Sequence, residues 1–263
     1  MRQTADDPRV GRRGGWRRTG RMALTGFILL FLAPLLAHAA WWLSRDQPAS
    51  WSVADWRSAG LLPAAAAQPQ AMIQVYAARA GRWKGVFAHH MWIVLKERDG
   101  ARYERFDKVG WGRPVRRDGW PADARWYGNE PELVAAVEGA QAEALIPRLR
   151  AAIEDYPYDR PDGYRVWPGP NSNSFVAHVL AAAPGLDAVL PPTAIGKDWR
   201  GDGVLGRTPD GRGLRLSLAG VLGLTLGPVE GVELNVLGLV VGLDLRRPAL
   251  KLPGFGRIGA PPR

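Results

Sequence analysis

The chain has 263 residues, 46 % of them apolar, and a formal charge of +10, a composition that builds a sizeable core and excludes a disordered protein. It has no cysteine, which rules out disulfides, zinc thiolates and thiol catalysis, and only four histidines: His38, His89, His90 and His178. Half of the net charge comes from the start of the chain, where seven arginines precede residue 22 against only Asp6 and Asp7.

That basic segment, residues 1–21, runs into an uncharged stretch from Met22 to Leu43. As a helix it would span roughly 33 Å, about the thickness of a hydrocarbon core. Trp41 and Trp42 at its far end suit a membrane interface, and the preceding arginines predict a cytoplasmic N-terminus. Topology thus accounts for the basic charge, and nucleic acid is not expected as a partner. Ala37-His38-Ala39 also fits a signal-peptidase site after an apolar run broken by Pro34. The segment therefore reads as a retained transmembrane anchor or as a signal cut after Ala39. The apolar run continuing past the cut favours the anchor.

Residues 44–71 read as a linker, with Pro48, Pro63, Pro69 and a run of alanines, interrupted by Trp51 and Trp56. Folded structure is expected over 72–263. Met72 to Ala77 has strand character, and Val86–Lys96 and Ala101–Val109 form the two arms of a hairpin around Asp99-Gly100. Partners across that hairpin should have numbers summing to 199. Trp92 then faces Asp107, and His90 shares a sheet face with Asp107, within reach of a hydrogen bond; a single bulge would bring in His89 instead. Asn129 to Gly139 carries a cap, an N-terminal proline and an acidic first turn, and predicts a helix. A second helix is expected over Ala142–Asp155, with Leu145, Leu149 and Ile153 on one face and a kink at Pro147.

Tyr164 to Trp167 reads as a short extended run stopped by Pro168-Gly169-Pro170. Asn171 is a favoured N-cap, and Phe175, Val179 and the alanines to Ala183 follow at helical spacing. Ser172 therefore falls in the first helical turn, where free N–H groups and the helix dipole favour a nucleophile or a bound anion; equally, Asn and Ser open helices because they cap them. Ser174 and His178 are four apart on one helical face, a spacing that also suits a local surface contact. Further on, Gly201-Asp-Gly203-Val-Leu-Gly206 has dinucleotide-fingerprint spacing but no preceding strand and no following helix, so it carries no nucleotide expectation. Leu214–Leu226 and Val232–Leu245 alternate apolar and polar residues and predict strands, and Arg246–Gly259 reads as a basic, solvated tail.

Residues from about 72 to 259 resemble a bacterial domain-of-unknown-function family, numbered 3750. The resemblance rests on Gln74–Gly85, His90-Met-Trp92-Ile, Asp107–Gly112, Tyr164–Phe175 and Arg246–Gly254. It implies no activity. A more distant likeness is to circularly permuted papain-like proteins, the NlpC-type peptidases and the lecithin–retinol acyltransferase group, in which a strand histidine is followed by an Asn-Cys motif opening a helix. Here Ser172 stands where the cysteine would be. A serine hydroxyl cannot be tipped to an anion as a thiol can, and would need a base in contact with it.

The expectation is an α+β fold: a small antiparallel sheet packed by helices in a permuted papain-like arrangement, after one N-terminal transmembrane helix. The apolar run and the arginines before it, in a chain that resembles a bacterial family, lead to the expectation of a single-pass protein of the bacterial inner membrane with its C-terminal domain in the periplasm. Two functions stay open. One is a non-catalytic module binding envelope peptide or lipid. The other is a serine-dependent acyl hydrolase or transferase with Ser172 as nucleophile, His90 as base, Asp107 orienting it, and Asn171 and Asn173 serving an oxyanion or as caps. No metal or cofactor is expected.

Overall fold

A computed structural model describes residues 8–260; residues 1–7 of the basic segment and the last three residues lie outside it. Helix α1 (Pro8–Phe27) passes through a π turn (Ile28–Leu32) into α2 (Ala33–Leu43). Pro34, in the first turn of α2, has no N–H to give, and the ladder widens just before it, where Ala33 N–H reaches back to Ile28 O. Arg18–Leu43 is long and apolar enough to cross a membrane, with a mean hydropathy of 2.0.

The first sheet holds β1 (Met72–Arg79), β2 (His89–Lys96), β3 (Glu104–Lys108), β4 (Val115–Arg117) and β5 (Glu132–Glu138), in the order β4-β3-β2-β1-β5 and antiparallel throughout. The hairpin register is the expected one, with Trp92 opposite Asp107 and Leu95 opposite Glu104. Its connection is longer than two residues and turns where Gly100 N–H donates to Glu97 O and Asp99 takes a φ of 53°.

Alternation gives the sheet two faces. Ile73, Val75, Ala77, Met91, Ile93 and Leu95 pack beneath two helices, α3 (Ala140–Glu154) and α4 (Ser172–Ala181). Tyr76, Ala78, Trp92 and Val94 face the other way, into a cluster with Trp126. There Trp51 and Trp56 pack among Trp120, Trp126 and Tyr127. Leu61 and Leu62 donate their N–H groups to Asp123 Oδ2 at 2.7 and 3.2 Å. Residues 44–71 are therefore a cover over the tryptophan face, not a free tether.

Three local expectations are corrected. The segment read as a helix from Asn129 is strand β5: it pairs with the open edge of β1, where Val134 and Ala135 become buried. Tyr164–Trp167 pairs with no strand; Arg165 N–H closes instead onto Pro170 O, and both Trp167–Pro168 and Gly169–Pro170 are cis. Arg246–Gly259 is not a solvated tail but supplies β11 (Ala249–Leu252) and β12 (Gly256–Gly259).

Those strands complete a second, seven-stranded antiparallel meander with β6 (Leu205–Arg207), β7 (Leu214–Leu218), β8 (Leu222–Gly227), β9 (Gly231–Val236) and β10 (Leu239–Asp244). Its polarity is inverted. Arg215, Ser217, Thr225, Glu233, Asn235 and Lys251 point inward and are buried, while the leucines between them point out. Inside, Lys197 Nζ lies 2.5 Å from Glu233 Oε2 and 2.9 Å from Asp198 Oδ1, and Lys251 Nζ lies 2.5 Å from Glu233 Oε1.

Candidate functional site

Asn171 caps α4. Its Oδ1 accepts from the N–H groups of Asn173 and Ser174 at 2.9 and 3.1 Å, and Ser174 Oγ accepts in return from Asn171 N–H at 2.8 Å. The capping box follows from the Asn-x-x-Ser spacing, and it occupies Ser174, whose Oγ also donates to Asn171 O; no bond joins Ser174 to His178. His178 lies instead edge-on to Tyr156. The amide of Asn171 donates to Val166 O and Ile195 O, and that of Asn173 to His89 O and Ile195 O. Both asparagines thus tie the helix start to the loop before the second sheet, and Asn173 ties it to β2 as well.

Ser172, 4 % exposed, occupies the first helical position. Its hydroxyl makes one long contact, 3.5 Å to Asn173 Oδ1. The Asn173 and Ser174 amides, which would hold an oxyanion at this end, are already committed to the Asn171 side chain.

His90 and Asp107 meet as the register predicts, with His90 Nε2 2.8 Å from Asp107 Oδ1. They do so on the tryptophan face. The His90 ring stacks on Trp126 with centroids 3.5 Å apart and planes 8° from parallel. Asp107 also takes a bidentate pair from Arg105, Nε to Oδ2 at 2.7 Å and Nη2 to Oδ1 at 2.8 Å, and the Arg105 guanidinium lies 3.9 Å from the Trp92 ring. Burial pushes the Asp107 carboxyl up, but Arg105 and His90 outweigh it and hold the pKa below the usual carboxylate range. Burial lowers the His90 pKa by more than Asp107 raises it, so the ring is neutral near pH 7. Arg105 was legible as a partner, since positions 105 and 107 of one strand share a face. Trp126, distant in sequence, gave no such signal.

The structure therefore joins His90 to Asp107 and does not join either to Ser172. Residue 90 has the parity of 92 and 94, on the tryptophan face, while α4 packs against residues of the parity of 91, 93 and 95. The histidine on the helix side is His89. It is 5 % exposed, its N–H donates to Thr193 O, and neither ring nitrogen has a hydrogen-bond partner among the described residues. Burial, with the Arg79 and His38 charges adding to it, holds its pKa well below the ordinary value.

A separate cleft of about 400 Å³ opens between the outer side of α4 and the second sheet. Tyr156, Tyr158, His178 and Trp199 supply aromatic walls, and Arg200 and Arg207 stand at its edge. Burial lowers the His178 pKa against a smaller upward pull from Asp202, so near pH 7 Lys197, Arg200, Arg207 and Arg215 carry the cleft's positive charge, with Asp202 3.5 Å from Arg200. No group of metal-ligating side chains occurs among the described residues.

Residues 70–199 match the family DUF3750, a protein family of unknown function. The DUF3750 segment takes in the whole first sheet, α3, the capped start of α4 and the loop held by Asn171 and Asn173. The meander lies beyond it. No curated protein and no solved structure matches the chain.

Proposed function

We propose that this chain is a membrane-anchored binding module of the bacterial envelope, held by one helix in the inner membrane with its domain on the periplasmic side. The basic residues preceding the span support that orientation. The observation that carries the non-catalytic reading is the division of the expected triad: the imidazole and carboxylate close on each other and on tryptophan across the sheet from the serine. The cleft beside α4 is the binding site. Aromatic walls edged by Arg200 and Arg207 suit an anionic peptide fragment of the envelope, its apolar parts on the rings and its carboxylates on the guanidinium groups. Native mass spectrometry of the purified full chain with soluble peptidoglycan fragments is the test. Binding that is lost when Arg200→Ala and Arg207→Ala are combined supports the module, and absence of binding to the unaltered chain defeats it.

One observation favours a second reading. A buried imidazole without a partner, His89, lies on the α4 side of the sheet, and the Asn173 amide binds its carbonyl. A strand histidine near a helix start is the permuted papain-like arrangement, and acyl transfer would then use Ser172 with His89 as base. A fluorophosphonate probe separates the readings. Labelling abolished by Ser172→Ala and by His89→Ala, and kept in His90→Phe, establishes the enzyme.

A further inference from the structure

The second sheet presents an apolar face that folding does not cover. Leu214, Leu216, Leu218, Leu222, Leu224 and Leu226 project from β7 and β8, each 39–55 % exposed, and the face continues through Val232 and Leu234 on β9 and Leu243 on β10. Seven strands of about five residues, ~4.8 Å apart, give such a face an area on the order of 500 Å². That is near the top of the range for the largest apolar patch on a soluble monomer. A water-facing sheet would turn Arg215, Glu233 and Lys251 outward; here they are the buried side.

The spanning helix shows where this face lies. Its π turn packs against β10, and Phe31, within that turn, is only 3 % exposed. The outward residues Leu239 and Val241 are half-buried, unlike Leu243 farther along the same strand, which places the crossing on the leucine side. The π turn sits roughly 18 Å from Arg18 and 20 Å from Leu43, near the middle of the span. Two further contacts fix the outer half of the helix. The His38 ring meets Phe255 edge-on at 5.3 Å, and Trp42 Nε1 donates to Arg82 O at 2.9 Å. A meander joined to the helix at its midpoint through β10 and farther out through Phe255 cannot stand wholly in water.

We propose that the leucine face of the meander is embedded in lipid, with the domain set into the leaflet that holds the outer half of its helix. The ligand is the acyl-chain layer of the bilayer itself. Apolar side chains outward and a paired polar network inward is the arrangement of a lipid-facing sheet face; because this sheet is open, its edge strands β6 and β12 stay at the headgroup level, out of the hydrocarbon.

The absence of cysteine makes the test direct. The full chain carrying Leu216→Cys, Leu224→Cys or Leu234→Cys, each with an environment-sensitive fluorophore, is reconstituted in phosphatidylethanolamine–phosphatidylglycerol vesicles. Arg102→Cys, on the exposed hairpin loop, is the control. Expected is several-fold stronger quenching by nitroxide-bearing acyl chains at the three leucine positions than at the control, and weak quenching there by iodide. Iodide quenching equal to the control overturns the proposal. So does self-quenching between labels without acyl-chain quenching, which would make the occupant a second copy. Protection from all quenchers overturns it as well, since a protein surface would then cover the face. The unaltered chain gives an independent reading in vesicles whose acyl chains carry a diazirine: adducts are expected within 214–226 and 231–244 as well as 22–43, and adducts on the helix alone refute the proposal.

Discussion

Asp107 accepts from His90 once and from Arg105 twice, all three groups being buried. Asp107→Ala would leave the Arg105 guanidinium uncompensated, at a cost of about 3–5 kcal/mol. His90→Phe keeps a ring against Trp126 and leaves the Arg105–Asp107 pair intact, so it should cost only about 1–2 kcal/mol. Urea unfolding followed by tryptophan fluorescence measures both, and equal losses would argue against a structural role dominated by Arg105. The start of α4 offers a sharper contrast. Asn171→Ala removes the cap, about 1 kcal/mol, and takes the amide donor from the Val166 carbonyl, while Ile195 O keeps the Asn173 amide, so the total loss should exceed about 2 kcal/mol. Ser172→Ala removes only a 3.5 Å contact and should stay within about 0.5 kcal/mol of the unaltered chain. A large destabilisation on losing that hydroxyl would make Ser172 a structural residue.

The meander holds its charges where pH acts on them. Burial pushes the Glu233 carboxyl up, but Lys197 and Lys251 outweigh it and bring the pKa down to about 2. A carboxyl lowered on folding contributes stability that is complete above its ordinary value near 4.5 and is lost as pH falls toward 2. Glu230 has the opposite sign. Burial raises its pKa, and neither oxygen finds a hydrogen-bond partner outside its own residue among the described residues, so its contribution is complete below about 4.5 and lost as pH rises through the raised value. Glu230→Gln should therefore stabilise the chain at neutral pH by roughly 1–3 kcal/mol, with the gain shrinking in acid. Melting curves from pH 4 to 8 check this, and a gain independent of pH would sink it. Elements of this kind were unevenly legible. Hairpin register and the α4 cap could be read because each is local: a period of two, a turn, a capping residue. Strand β5 could not, because Pro131, Glu132 and Gly139 satisfy helix rules and the deciding term is the distant, open edge of β1. The meander's alternation was visible, but which set of residues turns inward depends on the lysines and carboxylates meeting from Lys197 to Lys251, a long-range fact.

At the scale of the whole molecule the helix is part of the domain and not a string from which it hangs. Trp42 is 1 % exposed and sits over Gly85, where an added Cβ would lie 2.1 Å from the indole; only glycine lets the 3₁₀ turn at Arg82–Val86 come this close. Trp42→Ala should cost about 3–5 kcal/mol in unfolding, with protease sites opening around Arg82–Val86 as the helix loosens from that turn; resistance equal to that of the unaltered chain would show a free tether. The same packing bears on the possible cut after Ala39. Cleavage there would remove Phe31 from β10 and His38 from its place beside Phe255 and Gly254, leaving apolar surface bare where the helix had covered it. On the leucine side that surface would meet acyl chains and not water, so the loss is one of close packing, and removing a packed ring such as Phe31 costs about 3–5 kcal/mol, a sizeable part of the stability of an ordinary domain. The folded chain should thus keep its anchor. Intact mass spectrometry of protein extracted from membranes should find residues 22–39 still present, and a predominant species beginning at Ala40 would overturn this.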